Sequence, residues 1–402
     1  MNRFIKILLI LIGLLGLVYF GGLQYFNSGG LEPDNTVWQS YIGRDTTVGI
    51  LPDAYANYYT YTLVRTDKNT GFKIQGKFPD TRYFSFNVYS LEDYKTQGSL
   101  VDYQIKSDSG KPNPFIADKD SIEVGTNYTS YILPEKYADK ELPNQLSFGN
   151  DVRFLVMVMR LYDFNQDDYG GVGFPTIQAI TLDENGGETG KEVEITPVNL
   201  PRNLDLRGIV QKRGLPKMVE RLSVVFKIEE TILSEKPQAK PYTENQNDAP
   251  IADSKPTKNY YSIPFHGVNP DGFIENNDNR YLLAGITKQP EEVYVFRFKT
   301  PTYTTGYENI NQTEVRYWSF NLGNSATYNF NAIKDEDAIL DKEGYVTIVL
   351  GDKEASIEER VKALGFNFLE WKMTHQKAII LFRHMLADPN FEVQIDEAPP
   401  MA

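Results

Sequence analysis

Apolar and polar residues alternate in short runs along most of this chain, and the alternation repeats itself. In RYFSFNVYS, beginning at Arg82, Phe84, Phe86 and Val88 share one side of an extended segment, and Tyr83, Ser85, Asn87 and Tyr89 share the other. RYWSFNLGN, beginning at Arg316, places Trp318, Phe320 and Leu322 against Tyr317, Ser319 and Asn321 in the same way. A period of two with one aromatic-aliphatic side predicts half-buried strands of an antiparallel sandwich. The two phrases lie 234 positions apart. Each follows an apolar strand that ends in Lys-x-Pro, GFKIQGKFP in one case and VYVFRFKTP in the other. Each also precedes an apolar strand holding a single arginine, FLVMVMRLY with Arg160 and KAIILFRHM with Arg383. Elements repeated in one order indicate an internal duplication.

Between the repeats the pattern changes. LPKMVERLSVVFKIEETIL, within residues 201–233, has apolar residues at mixed helical spacing and predicts one or two helices. Residues 236–259 are polar and Pro-rich and read as a linker. Near the C-terminus, ASIEERVKALGF carries Ser356 and Glu359 in capping-box spacing and Gly365 as a stop, predicting one short helix. The expected organisation is a membrane anchor over 1–30, a first β-sandwich domain over 31–235, the linker over 236–259 and a second over 260–402. The fold class is mainly β: a transmembrane helix, then two tandem jelly-roll-like antiparallel sandwiches with a few short helices.

The anchor rests on the N-terminus. Arg3 and Lys6 precede an apolar run from Ile7 to Leu23, and no charge follows until Glu32. That uncharged stretch meets the roughly 20 residues a bilayer span needs. The charge asymmetry puts the N-terminus in the cytoplasm and the rest in the periplasm or outside the cell. A cleaved signal peptide ending near Ser28-Gly29-Gly30 is the alternative.

Composition narrows the function classes. A net charge of −13 argues against nucleic acid as a partner. The chain has no cysteine, which excludes disulfides, thiolate catalysis and Cys-zinc sites. Tyr (26) and Phe (23) are abundant, as strand-rich domains favour.

The Arg-Tyr-x-Ser strands, the Arg-Leu-Tyr strand end and DDYGGVGFPTI together resemble bacterial envelope proteins with paired domains of unknown function, the twelve-fifty-four and twelve-fourteen types. Arg82, Tyr83, Ser85, Arg160, Tyr162, Gly170, Gly171 and Pro175 carry the resemblance in the first half. Arg316, Tyr317, Trp318, Ser319 and Arg383 carry it in the second, which lacks the Gly-Gly…Pro turn. The resemblance implies tandem β-sandwiches and export, and brings no catalytic residues.

Candidate chemistry is sparse. In YDFNQDDYGG, Asp163, Asn165, Asp167 and Asp168 have the oxygen-ligand spacing that suits Ca²⁺, the one cofactor the sequence raises. The twelfth position from Asp163 holds Phe174 where an EF-hand needs Glu; a surface turn accounts equally for Asp, Asn and Gly there. The three histidines, His266, His375 and His384, lack metal-ligand spacing and read as structural or surface residues. No nucleophile elbow or phosphate loop occurs. Arg160 and Arg383, inside apolar strands, call for carboxylate partners. The Tyr-Ser-Asn faces suit sugar stacking, or are covered by a loop or by the other domain. The functional expectation is a non-catalytic binding or assembly role at the envelope, with protein partners or further copies of the chain. An envelope hydrolase acting on glycan or lipid, and a pair of carbohydrate-binding modules, are the alternatives.

Overall fold

The structure is a computed structural model that describes residues 38, 40–42, 52–91, 95–108, 110–116, 126–164, 169–189, 238–240, 260–262, 266–268, 276, 278–288, 293–304, 313–323, 329–371 and 376–391. The expected anchor and the helices expected within 201–233 lie outside these residues. Among the described residues no helix is long and apolar enough to cross a membrane.

The described chain is mainly β. Its first half forms a five-stranded antiparallel sheet in the order β1 (Ser40–Ile42), β2 (Ala56–Val64), β8 (Phe154–Phe164), β4 (Thr81–Ser90), β5 (Thr96–Val101). A second sheet runs β7 (Gln145–Phe148), β6 (Asn127–Pro134), β3 (Thr70–Lys77), β9 (Thr176–Thr181), with β6 and β7 parallel. The second half repeats the plan. One sheet runs β12 (His266–Val268), β13 (Asn279–Thr287), β19 (Lys377–Met385), β15 (Tyr317–Gly323), β16 (Asn329–Lys334). The other runs β14 (Tyr294–Lys299), β17 (Tyr345–Gly351), β18 (Asn367–Glu370), again with a parallel last pair. A ribbon of β10 (Gln238–Lys240) and β11 (Tyr260–Ser262) ties together the two ends of the proposed linker.

Each half is a sandwich because each sheet offers one apolar side. In the first, Tyr59, Tyr61 and Leu63 of β2, Phe84, Phe86 and Val88 of β4, and Leu155, Met157, Met159 and Leu161 of β8 meet Phe72 and Ile74 of β3 and Tyr128 and Ile132 of β6. In the second, Trp318, Phe320 and Leu322 of β15 and Ile380 and Phe382 of β19 meet Phe296 and Phe298 of β14 and Val346, Ile348 and Leu350 of β17. Phe298 sits 4.9 Å from Phe382 and 6.4 Å from Trp318, ring to ring, spacings at which aromatic pairs add to burial.

Details of the turns repeat as well. Asn144 binds Lys106 N, Lys106 O and Thr129 O with its side chain. Asn367 binds Ile339 N, Ile339 O and Thr347 O in the same manner. The short helix is α1 (Ala355–Ala363), and Gly365 closes it at φ +74 as expected. The capping box is corrected: Glu354 is the N-cap and Ser356 lies inside the first turn, with no side-chain cap present. The half-buried expectation for the repeated phrases is corrected too, since β4 and β15 are buried along their whole lengths. The side expected to face water meets the other domain.

Candidate functional site at the domain seam

The two five-stranded sheets present their Tyr-Ser-Asn sides to each other. Tyr83, Ala56, Val101 and Tyr162 of the first half pack with Tyr317 and Met385 of the second in one buried cluster. Tyr162 and Tyr317 approach edge to face at 5.6 Å between ring centres. The Asn321 amide oxygen accepts from Ala54 N at 3.1 Å, and Tyr55 Oη donates to Ala332 O at 3.0 Å.

Charge crosses this seam reciprocally. Arg82, at the head of β4, forms a two-pronged pair with Asp335 at 2.6 and 2.7 Å. Arg316, at the head of β15, binds Asp102 at 2.8 Å. Each aspartate sits just past β5 or β16, at the start of a 3-10 turn, and accepts the backbone N–H of its own domain's repeated phrase. Phe84 N reaches Asp102 at 2.9 Å, and Trp318 N reaches Asp335 at 3.0 Å. Both aspartates are fully buried. Burial pushes both carboxyls above the usual range, against the opposing pull of Arg316 and Arg82 respectively. Arg82 also donates to Arg316 O and Thr304 O and lies over the rings of Tyr303 and Tyr317.

A second tier lies deeper. Asp53 receives Tyr317 Oη at 2.9 Å and Ser319 Oγ at 2.5 Å, and Arg383 Nη1 stands 3.0 Å away. The carboxylate partner expected for Arg383 is therefore supplied across the seam. Arg160 differs: its Nη2 donates to Tyr89 Oη at 2.8 Å, and among the described residues it forms no ion pair. Asp278 instead accepts Tyr83 Oη at 2.5 Å.

At the rim, Lys334 Nζ bridges Asp163 at 2.5 Å and Glu336 at 3.0 Å, with Arg82 within 4 Å of both carboxylates. Burial raises Asp163, while Glu336 is held below its usual range despite burial, through Asp163 and Lys334. Of the four residues expected to bind Ca²⁺, Asp163 is thus engaged by Lys334; Asn165, Asp167 and Asp168 lie outside the described residues. No group of acidic or histidine side chains among the described residues has metal-holding geometry. His384 is buried in the second core with rings of Phe382 at 4.1 Å and Phe391 at 5.4 Å, and neither ring nitrogen has a hydrogen-bond partner. His266 and His375 have no described side chains.

Sequence reasoning singled out the arginines but not Asp102, Asp335 or Asp53. The signal for the first two was present: an aspartate follows each repeated phrase at nearly the same distance, 20 positions after Arg82 in SLVDY and 19 after Arg316 in AIKDED.

No family model matches the chain, and no curated protein does. Among solved structures, an uncharacterized protein from Burkholderia cenocepacia is similar at 12% identity, over 95% of this chain and 85% of that one, with a TM-score of 0.52. A protein from Vibrio parahaemolyticus matches at 14% identity, over 85% and 87% of the two chains, with a TM-score of 0.41. The first of these is a likeness of fold.

Proposed function

We propose that this chain is a membrane-anchored, extracytoplasmic protein whose two jelly-roll-like sandwiches serve a non-catalytic binding or assembly role at the cell envelope. The observation that carries this reading is the seam. The polar faces offered by both repeats are engaged with each other, and Arg82, Arg316 and Arg383 are matched with carboxylates in buried pairs across the seam. Buried, hydrogen-bonded pairs of this kind fix a geometry, which suits a scaffold presenting its outer surfaces to partners or to further copies. The membrane attachment follows from the N-terminal charge and hydropathy pattern.

The test is gentle detergent extraction of the untagged native protein, then size-exclusion chromatography with mass spectrometry of co-migrating proteins. A defined large species supports the reading. A monomer near 46 kDa plus detergent overturns it.

One observation favours the hydrolase alternative. Asp163 and Glu336 form a carboxyl pair at the rim with their affinities for protons pushed in opposite directions, which is the division of labour acid–base chemistry uses. Turnover of an envelope glycan or lipid that disappears in Glu336→Gln would establish it.

A further inference from the structure

The sheet farther from the seam has one strand more in the first sandwich than in the second. Its order is β7-β6-β3-β9, against β18-β17-β14 among the described residues. β14 is the counterpart of β3. Asn144 and Asn367 mark the correspondence, since one binds Thr129 O and the other Thr347 O. Thr129 lies opposite Gln75, and Thr347 lies opposite Arg297. Counting back along each strand, Phe72 matches Tyr294 and Ile74 matches Phe296. On β3 these positions meet β9, with Ile177 opposite Ile74 and Ala179 opposite Phe72. Ile177 and Ala179 enter the first core.

Side chains around the same place in the second sandwich are less covered. Arg383 faces Tyr281 as Arg160 faces Tyr58, so Leu282 matches Tyr59. Tyr59 and Phe72 are each 1% exposed, whereas Leu282 and Tyr294 are only partly buried. The approach to the place is repeated as well. Phe174, just before β9, packs on Tyr59 of β2 edge to face at 4.8 Å. Phe391 packs against the second core, and Arg280 of β13 donates to its carbonyl oxygen at 2.7 Å. After Phe391 the chain reads Glu392-Val393-Gln394-Ile395-Asp396, residues that lie outside those described. β9 begins Thr176-Ile177-Gln178-Ala179, the same order of polar, apolar, glutamine, apolar.

We propose that residues 392–396 of the same chain dock antiparallel beside β14, as β9 docks beside β3. Val393 then lies opposite Phe296, Gln394 opposite Val295 and Ile395 opposite Tyr294. The pattern fixes which side faces in: a slip of one residue would turn Val393 and Ile395 out of the core. Docked in this register, the two side chains complete the cover over Leu282 and Tyr294. The same register sets Glu392 opposite Arg297, a cross-strand pair of opposite charge. The occupant is this chain's own segment because Phe391, the residue before it, is already seated in the second core and tied to β13. Main-chain pairing supplies the attachment, and the two apolar side chains supply the selectivity, as in other cases of strand addition. The inference is independent of the envelope role proposed above.

The experiment uses the full chain in detergent. Because the chain has no cysteine, an engineered pair reports a single contact. Val295 is 47% exposed, so Val295→Cys with Gln394→Cys places both thiols on the outer side of the sheet. Mild oxidation should link most molecules within one chain, read by non-reducing electrophoresis and peptide mass spectrometry. The control, Val295→Cys with Ile395→Cys, points its second thiol into the core and should link several-fold less. Equal linking in the two pairs, or none in either, overturns the proposal. Linking between chains overturns it as well, since a second copy would then hold the place. Thermal unfolding gives an independent reading. Ile395→Asp should lower the Tm by several degrees, and Gln394→Asp should leave it near that of the natural protein; equal values overturn the register. Should Ile395→Asp fail to fold, the cysteine pairs decide the matter, because Val295→Cys and Gln394→Cys alter only the outer side.

Discussion

The two reciprocal corners of the seam share a backbone and differ in chemistry. At one, Arg82 grips Asp335 with both nitrogens, donates to two carbonyls and lies over two tyrosines. Around it stand Lys334, Asp163 and Glu336. At the other, Arg316 reaches a single oxygen of Asp102 and lies over Phe115. The positions matching Lys334, Asp163 and Glu336 are Val101, Leu386 and Tyr103. Asp163 and Leu386 even share the same unusual backbone, at φ 50 and φ 47. The buried ion pair is common to both corners, whereas the rim is ionic at one and apolar at the other. A fold of this kind needs its buried charges neutralised, and tolerates wide variety where water begins.

The largest test of this comparison removes one partner from each corner. Asp335→Ala and Asp102→Ala should each destabilise the protein by about 3–5 kcal/mol, because each strands a buried arginine. The loss should be greater for Asp335→Ala, whose arginine is gripped twice. Denaturant titration of both variants measures the difference, and equal losses would dissolve the distinction drawn here. Replacing a whole pair, as in Arg82→Met with Asp335→Leu, should recover much of the loss.

A second test compares the cores. His384 occupies on β19 the position Leu161 holds on β8, and both are buried. Burial, aided by the charge of Arg280, lowers the His384 pKa to about 3. Its folded value lies below the unfolded value of about 6.5. The stability it permits is therefore complete above pH 6.5 and is lost as pH falls toward 3, by about 1.4 kcal/mol per unit. His384→Leu, which imposes the first domain's residue, should flatten that slope in urea unfolding between pH 6.5 and 4.5. An unchanged slope would place the acid sensitivity elsewhere.

The smallest effect is expected at the rim. Lys334→Met should cost about 1 kcal/mol or less, since Lys334 and Glu336 retain partial access to water. It should also be the most salt-sensitive of these changes. A loss as large as that of Asp335→Ala would mean the rim is part of the buried network.

Much of the architecture could be read from the sequence, because strand faces alternate with a fixed period and the duplication repeats that period. Phe84, Phe86 and Val88 were assigned to the core side correctly, as were Trp318, Phe320 and Leu322. Arg160 and Arg383 were recognisable as groups needing partners. What could not be read was which segment supplies them. Asp53 lies 330 positions from Arg383, and only the closed seam brings the two together. Ser356 and Glu359 misled because capping spacing is a local cue, and the chain enters the helix two residues earlier than that cue implies, with Glu354 rather than Ser356 as N-cap. The full burial of β4 was hidden for the same reason as the ion pairs: local alternation cannot report a covering domain.

The crossing of the ion pairs has a consequence for how the chain is made. Arg82 and Asp102 are synthesised well before Asp335 and Arg316, their counter-charges. At ribosomal rates of about 5–20 residues per second, 234 positions separate the two arginines by tens of seconds. Through that interval the newborn first half displays a sheet face with unmatched charge and exposed tyrosines. The last strands to emerge complete the first domain as much as they complete their own.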